Sequence, residues 1–168
     1  MYDELTEIDI QKMQEEIDYR ASVLRPKLIE EVQTARGFGD LSENFEYKCA
    51  KRDKNRNESR IRYLQQMIRT AKIIRPDPAD ADRAGLFDTV VIVPAPTGAP
   101  QTIRIVTTLR QDALQGLVSK ESPVARAVLG RRAGETVRVD LGEGRGYELT
   151  IKSIEKGADD ASLDISGY

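Results

Sequence analysis

The sequence predicts an α+β chain in two parts, an antiparallel α-helical coiled-coil hairpin over residues 1–75 and a small antiparallel sheet domain with one short helix over residues 81–156. Three observations predict it. Apolar residues recur at alternating three-and-four spacing through the first half, which is helical periodicity. β-branched runs bounded by Gly and Pro replace that pattern in the second half. Between them, Arg75-Pro76-Asp77-Pro78-Ala79-Asp80 sets two prolines among small polar residues, so residues 76–80 read as a linker.

Thr6 with Asp9 marks the start of the first helix, and Ile10, Met13, Ile17 and Leu24 carry its apolar stripe. Leu28, Val32 and Ala35 continue the stripe after a shift in phase. Pro26 accounts for the shift, because a proline inside a helix removes one backbone bond and bends the axis. The second helix has a cleaner seam of Tyr47, Ala50, Lys54, Asn57, Ile61, Leu64, Ile68 and Ala71. A short turn around Gly37 to Asp40 makes the helices antiparallel, and the apolar seams then pair Ala71 with Ile10, Ile68 with Met13 and Leu64 with Ile17. Each arm of roughly thirty residues, at ~1.5 Å per residue, is about 45 Å long, and its tip lies near residues 39–46.

In the second half, Thr89–Val93, Thr102–Val106, Thr136–Asp140 and Tyr147–Ile151 read as strands. Ser122–Gly130 reads as a short helix, with Ser122 as cap, Pro123 in the first turn and Gly130 past the end. Gly142-Glu143-Gly144-Arg145-Gly146 joins two strands and opens no helix, so it is a hairpin turn and not a phosphate loop. Residues 157–168 are polar and read as a flexible tail.

Composition narrows the chemistry. The 26 basic and 28 acidic residues nearly cancel, so any nucleic-acid role must come from local clustering. With no histidine, neither an imidazole base nor a His-ligated metal is available. The single cysteine, Cys49, excludes an internal disulfide and fits a reducing cytoplasm. Neither a charged-then-apolar leader nor an apolar run near ~20 residues is present, so secretion and membrane spanning are not expected.

Two clusters carry the candidate chemistry. Asp40 and Glu43 lie three apart at the bend, a spacing that suits a capping box on the second helix or a pair of oxygen ligands offered to a hard cation such as magnesium. Two carboxylates do not complete a metal site; they can complete one half-supplied by another protein. Behind them, Lys48, Lys51, Arg52, Lys54, Arg56, Arg60 and Arg62 face only Asp53 and Glu58. Such an excess suits either a solvated helix face or a polyanion held by its phosphates. Phe45 and Tyr47 either stack on bases or pack the tip.

Gly39-Asp40-Leu41-Ser42-Glu43-Asn44-Phe45-Glu46-Tyr47 and Ser122-Pro123-Val124-Ala125-Arg126-Ala127-Val128-Leu129-Gly130 closely resemble the two signature segments of the Gre family of bacterial transcript-cleavage factors, nearest its GreA branch. Leu5-Thr6-Glu7 and the strands from Glu135 to Glu155 match as well, so the resemblance spans residues 5 to 155. It implies an FKBP-like C-terminal domain that docks on RNA polymerase, a hairpin inserted through the secondary channel, and a monomer with no turnover of its own. It further implies that Asp40 and Glu43 help hold a magnesium ion and its attacking water, shared with polymerase, while the polymerase cuts backtracked nascent RNA. Arg36 and Lys51 match family positions that handle the RNA 3′ end, whereas Arg52, Lys54 and Arg56 join them only through local charge. Docking falls, on the same resemblance, to Ser122, Pro123, Ala125 and Arg126.

Two departures from the family pattern stand out. Val106–Asp112 lacks the glycine and acidic cluster that follow the corresponding strand, and the tail beyond Lys156 exceeds the usual end. A channel-blocking inhibitor without cleavage stimulation is the main rival reading, and the intact acidic tip speaks against it. A prolyl isomerase and a generic coiled-coil adaptor are weaker rivals.

Overall fold

The computed structural model describes residues 3–39, 44–77, 80–95 and 98–167. Backbone packing divides the chain into two compact units, residues 10–71 in one and residues 3–9 with 72–167 in the other.

The helical unit is the expected hairpin. Its outgoing arm comprises α1 (Glu7–Tyr19) and α2 (Arg25–Arg36), and its return arm is α3 (Phe45–Thr70). Between α1 and α2 the chain widens into a π turn over Arg20–Leu24, in which Arg25 N–H donates to Arg20 O. Pro26 explains the position of this turn. Its ring crowds the carbonyl four residues back and it has no N–H to donate, and a wide turn accommodates both defects. The phase shift between Leu24 and Leu28 is the trace of that extra residue.

Met13, Ile17, Val32, Ala35, Ile61 and Leu64 form the buried seam. Polar side chains set its register. Arg20 Nη1 donates to Asn57 Oδ1 at 3.0 Å, and Asn57 Nδ2 donates to Arg20 O at 3.2 Å. Arg60, only 4% exposed, forks onto Glu16 at 2.8 and 3.1 Å, and Arg20 Nε adds a bond to Glu16 at 2.7 Å. With Arg20 level with Asn57, Ile17 comes level with Arg60 and Ile61, and Met13 with Leu64. That is one helical turn from the pairing the apolar spacing suggests, because a heptad seam tolerates a slip of one turn whereas buried polar groups must find their partners.

Burial pushes the Glu16 carboxyl up, but the hydrogen bonds and charges of Arg60 and Arg20 outweigh it and hold the group below its ordinary value. Its contribution to stability is therefore present above that ordinary value and lost as pH falls through the lowered one. A Glu16→Gln variant is expected to be less stable than wild type at neutral pH, with the gap closing in acid. Chemical denaturation at several pH values measures it, and a pH-independent gap would contradict the ion-pair account.

In the second unit, β3 (Thr89–Pro94), β4 (Gln101–Val106), β5 (Leu117–Ser119), β6 (Thr136–Gly142) and β7 (Arg145–Glu155) form a sheet of order β5-β4-β3-β7-β6. It is antiparallel except for the parallel β4–β5 pair. α4 (Pro123–Val128) covers one face, burying Ala125 and Val128 among Val90, Ile92, Ile105, Val139, Leu149 and Ile151. Glu143 and Gly144, at φ 54° and 74°, turn β6 into β7 as the glycine run predicts. β1 (Glu4–Leu5) and β2 (Lys72–Ile73) add a short parallel pair.

Arg110 is the polar centre of this unit. Its side chain is fully buried over the Phe87 ring. Nε donates to Asp9 Oδ1 at 2.6 Å and Nη2 to Thr6 Oγ1 at 3.0 Å, while Asp9 and Thr6 cap α1 reciprocally. The segment 157–167, polar in composition, supplies the rest. Arg110 Nη1 donates to Asp160 O, Asp159 forms an ion pair at 2.6 Å, and Ser166 N–H donates to Leu109 O at 2.6 Å. Leu163 packs on Phe87, Val106 and Leu117. The two departures from the family pattern, the 106–112 stretch and the tail, are thus bonded to each other. Gly157 allows the tail its path, since a Cβ there would overlap Phe87 O.

Candidate functional site

The described residues bracket the hairpin bend on both sides. α2 ends at Arg36, and Gly37 and Phe38 N–H donate back to Thr34 and Ala35 carbonyls. Across the bend, Asn44 is the cap of α3: its Oδ1 accepts from Tyr47 N–H at 3.0 Å. Its Nδ2 donates to Ala35 O at 2.6 Å, tying the start of α3 to the end of α2. Asp40 and Glu43 lie outside the described residues. With Asn44 in the cap position and α3 opening at Phe45, a capping box led by Asp40 is not the device that starts this helix.

Three of the five basic candidates converge. The Arg36 guanidinium lies 5.7 Å from the centroid of the Tyr47 ring. A hydrogen bond from Arg36, with the charges of Lys51, Arg36 and Lys54, holds the Tyr47 phenol below the usual tyrosine range. Tyr47, Lys51 and Lys54 follow at the spacings i, i+4 and i+7, so they share one side of α3, while Arg36 reaches them from α2. Arg52 and Arg56 are exposed one turn apart on the outward side, away from this cluster. Arg60, grouped with the basic face on sequence, belongs to the interior pair with Glu16. The sequence did not reveal the role of Asn44, and it read Tyr47 as stacking on bases or packing the tip without showing its contact with Arg36. The only hint was their three-residue spacing at the start of a helix.

The α4 segment divides similarly. Ser122 Oγ accepts from Ala125 N–H at 3.2 Å, so Ser122 is a cap, and Ala125 is buried core. Pro123 and Arg126 face solvent, with Arg126 paired to Glu121 at 2.8 Å. They line a groove of about 620 Å³ with Arg131, Arg138 and Asp140.

Among the described residues no group of three or more His, Cys, Asp or Glu side chains forms a metal cage. No described helix is long and apolar enough to cross a membrane.

Comparison with known proteins places these features in a family. Residues 4–73 match the family model described as transcription elongation factor, N-terminal, and residues 70–156 match the GreA/GreB C-terminal model. The chain is 39% identical over 86% of its length to transcription elongation factor GreA of Geobacillus kaustophilus, covering 89% of that protein. It is 38% identical over 90% of its length to GreA of Bacillus licheniformis, covering 94% of it. The crystal structure of GreA factor homolog 1 of Thermus thermophilus aligns over 93% of this chain and 100% of that one, at 20% identity and a TM-score of 0.41. The chain belongs to the GreA/GreB family of transcription elongation factors.

Proposed function

We propose that this protein binds RNA polymerase, reaches the active centre through the secondary channel with its hairpin tip, and stimulates cleavage of backtracked nascent RNA. The observation that carries the reading is the convergence of Arg36, Lys51 and Lys54 on Tyr47, from the two helices that flank Asp40 and Glu43 in the sequence. The cluster holds the phosphates of the extruded RNA 3′ segment. Asp40 and Glu43, between α2 and α3 in the sequence, are the two carboxylates for the cleavage step.

A magnesium ion shared with polymerase would stabilise the attacking and leaving oxygens of that cleavage. Asp40 and Glu43 supply oxygen ligands and orient the attacking water. Arg36, Lys51 and Lys54 neutralise the strand and fix its register. The hydrolytic turnover belongs to polymerase, and the protein alone cleaves nothing. Docking rests with the second unit, where Pro123 and Arg126 remain on the surface beside the arginine-lined groove.

Charge held along a strand leaves a measurable signature. Replacing Lys51 and Lys54 with Gln is expected to weaken engagement of backtracked complexes and to reduce its salt slope by roughly 0.7 for each phosphate no longer neutralised. Replacing Arg52 and Arg56 is expected to do less, since they face away from the cluster. Equal salt slopes for all these variants would mark the basic residues as a merely solvated surface. A channel-blocking inhibitor would slow nucleotide addition without shortening the RNA, so the same reactions separate the rival reading.

A further inference from the structure

We propose that Tyr47 is itself an RNA-phosphate ligand: Arg36 holds its ring, and the hydroxyl donates its own proton to a phosphate oxygen of the strand lying along the basic cluster. The inference rests on the transcript-cleavage reading and adds a residue to that same site. It follows from the balance of donors and acceptors. The Arg36 guanidinium lies over the Tyr47 ring, and Lys51 and Lys54 share the Tyr47 side of α3, so the groups around the phenol are cations. A guanidinium and an ammonium carry donors only, so none of Arg36, Lys51 and Lys54 can take the phenol proton. A phosphate oxygen can, and it brings the negative charge that the three cations are placed to neutralise.

The ring is prepared for this task. Asn44 Oδ1 fixes the Tyr47 backbone, and Asn44 Nδ2 fixes the end of α2 beside Arg36. The guanidinium over the ring face adds a cation–π contact, so the side chain is held from two directions while remaining partly exposed. The neighbouring charges that favour the phenolate also make the neutral hydroxyl a stronger donor.

Tyr47→Phe removes the hydroxyl but keeps the ring, the cation–π contact and every charge. The experiment compares wild type, Tyr47→Phe, Arg36→Gln and the double variant by their half-saturating concentrations in transcript cleavage across a salt series. Binding to complexes whose RNA 3′ end is not backtracked serves as the control. The expected result is a roughly three- to ten-fold weakening by Tyr47→Phe on backtracked complexes, the range of one net hydrogen bond. Binding to the control complexes and the salt slope should stay unchanged, and the effect should shrink in the Arg36→Gln background. A merely structural tyrosine would scatter the cations, altering the slope and weakening the control complexes too, and either outcome overturns the inference. So does a Tyr47→Phe protein matching wild type throughout. Wild type that fails to cleave at all removes the transcript-cleavage reading and this inference with it, whereas active wild type beside unaffected Tyr47→Phe removes the inference alone.

Discussion

Replacing Asp40 and Glu43 together with Ala is expected to lower stimulated transcript cleavage by roughly 100-fold, the scale on which lost carboxylate partners disturb a catalytic metal site. Polymerase binding is expected to persist, because the proposed docking surface is in the other unit. Thermal stability is also expected to persist. A sequence-level capping box would have linked these acids to a loss of about 1 kcal/mol, but Asn44 caps α3 and Asn44→Ala is the substitution that should show that loss. Cleavage assays run beside melting curves separate the two. A double variant that cleaves like wild type would remove the metal role, and one that melts like Asn44→Ala would restore the capping role.

The largest effect on stability is expected at Asp9. Asp9→Ala leaves the buried Arg110 guanidinium with Asp159 as its remaining carboxylate partner and removes the Asp9 half of the reciprocal cap on α1. Removing one member of a buried ion pair costs about 3 kcal/mol or more. For a chain of this size the melting temperature should fall by roughly 6–12 °C. Replacing Arg110 with Met and Asp159 with Asn in the same background is expected to recover much of the loss, since neither a guanidinium nor a carboxylate is then buried without its partner. A wild-type melting curve for Asp9→Ala would show that the Arg110 centre contributes little.

The legible parts of the fold were those encoded by local pattern. The β-branched run Thr89–Val93 is the strand Thr89–Pro94, and Ser122 caps the short helix as its Ser-Pro signature indicates. β5 escaped because three residues cannot display an alternation, and only its pairing with β4 makes it a strand. The hairpin register was one turn off for a different reason. Apolar spacing repeats every turn or two, and the decision fell to Arg20, Asn57, Glu16 and Arg60, whose partners lie 37 or 44 residues away. Arg110 was invisible in the same way, with partners 101 and 104 residues distant.

At the candidate site, the clustering of charge was legible and its geometry was not. Spacing placed Lys51 and Lys54 on one side of α3, but nothing in the sequence showed Arg36 reaching across to Tyr47. Two residues near the bend, Asp40 and Asn44, were both chemically suited to cap a helix. Only the backbone of the first turn of α3 distinguishes them. The carboxylate pair itself was read from residue type and position at the bend.

The most direct test of the central claim is to stall RNA polymerase in a backtracked complex carrying 3′-labelled RNA and to add this protein with magnesium. The expected result is rapid release of short 3′ fragments, faster than polymerase achieves alone, leaving shortened RNA that extends when nucleotides are supplied. Intact RNA, with nucleotide addition slowed by the protein, would contradict the account and identify a factor that occupies the channel without promoting cleavage.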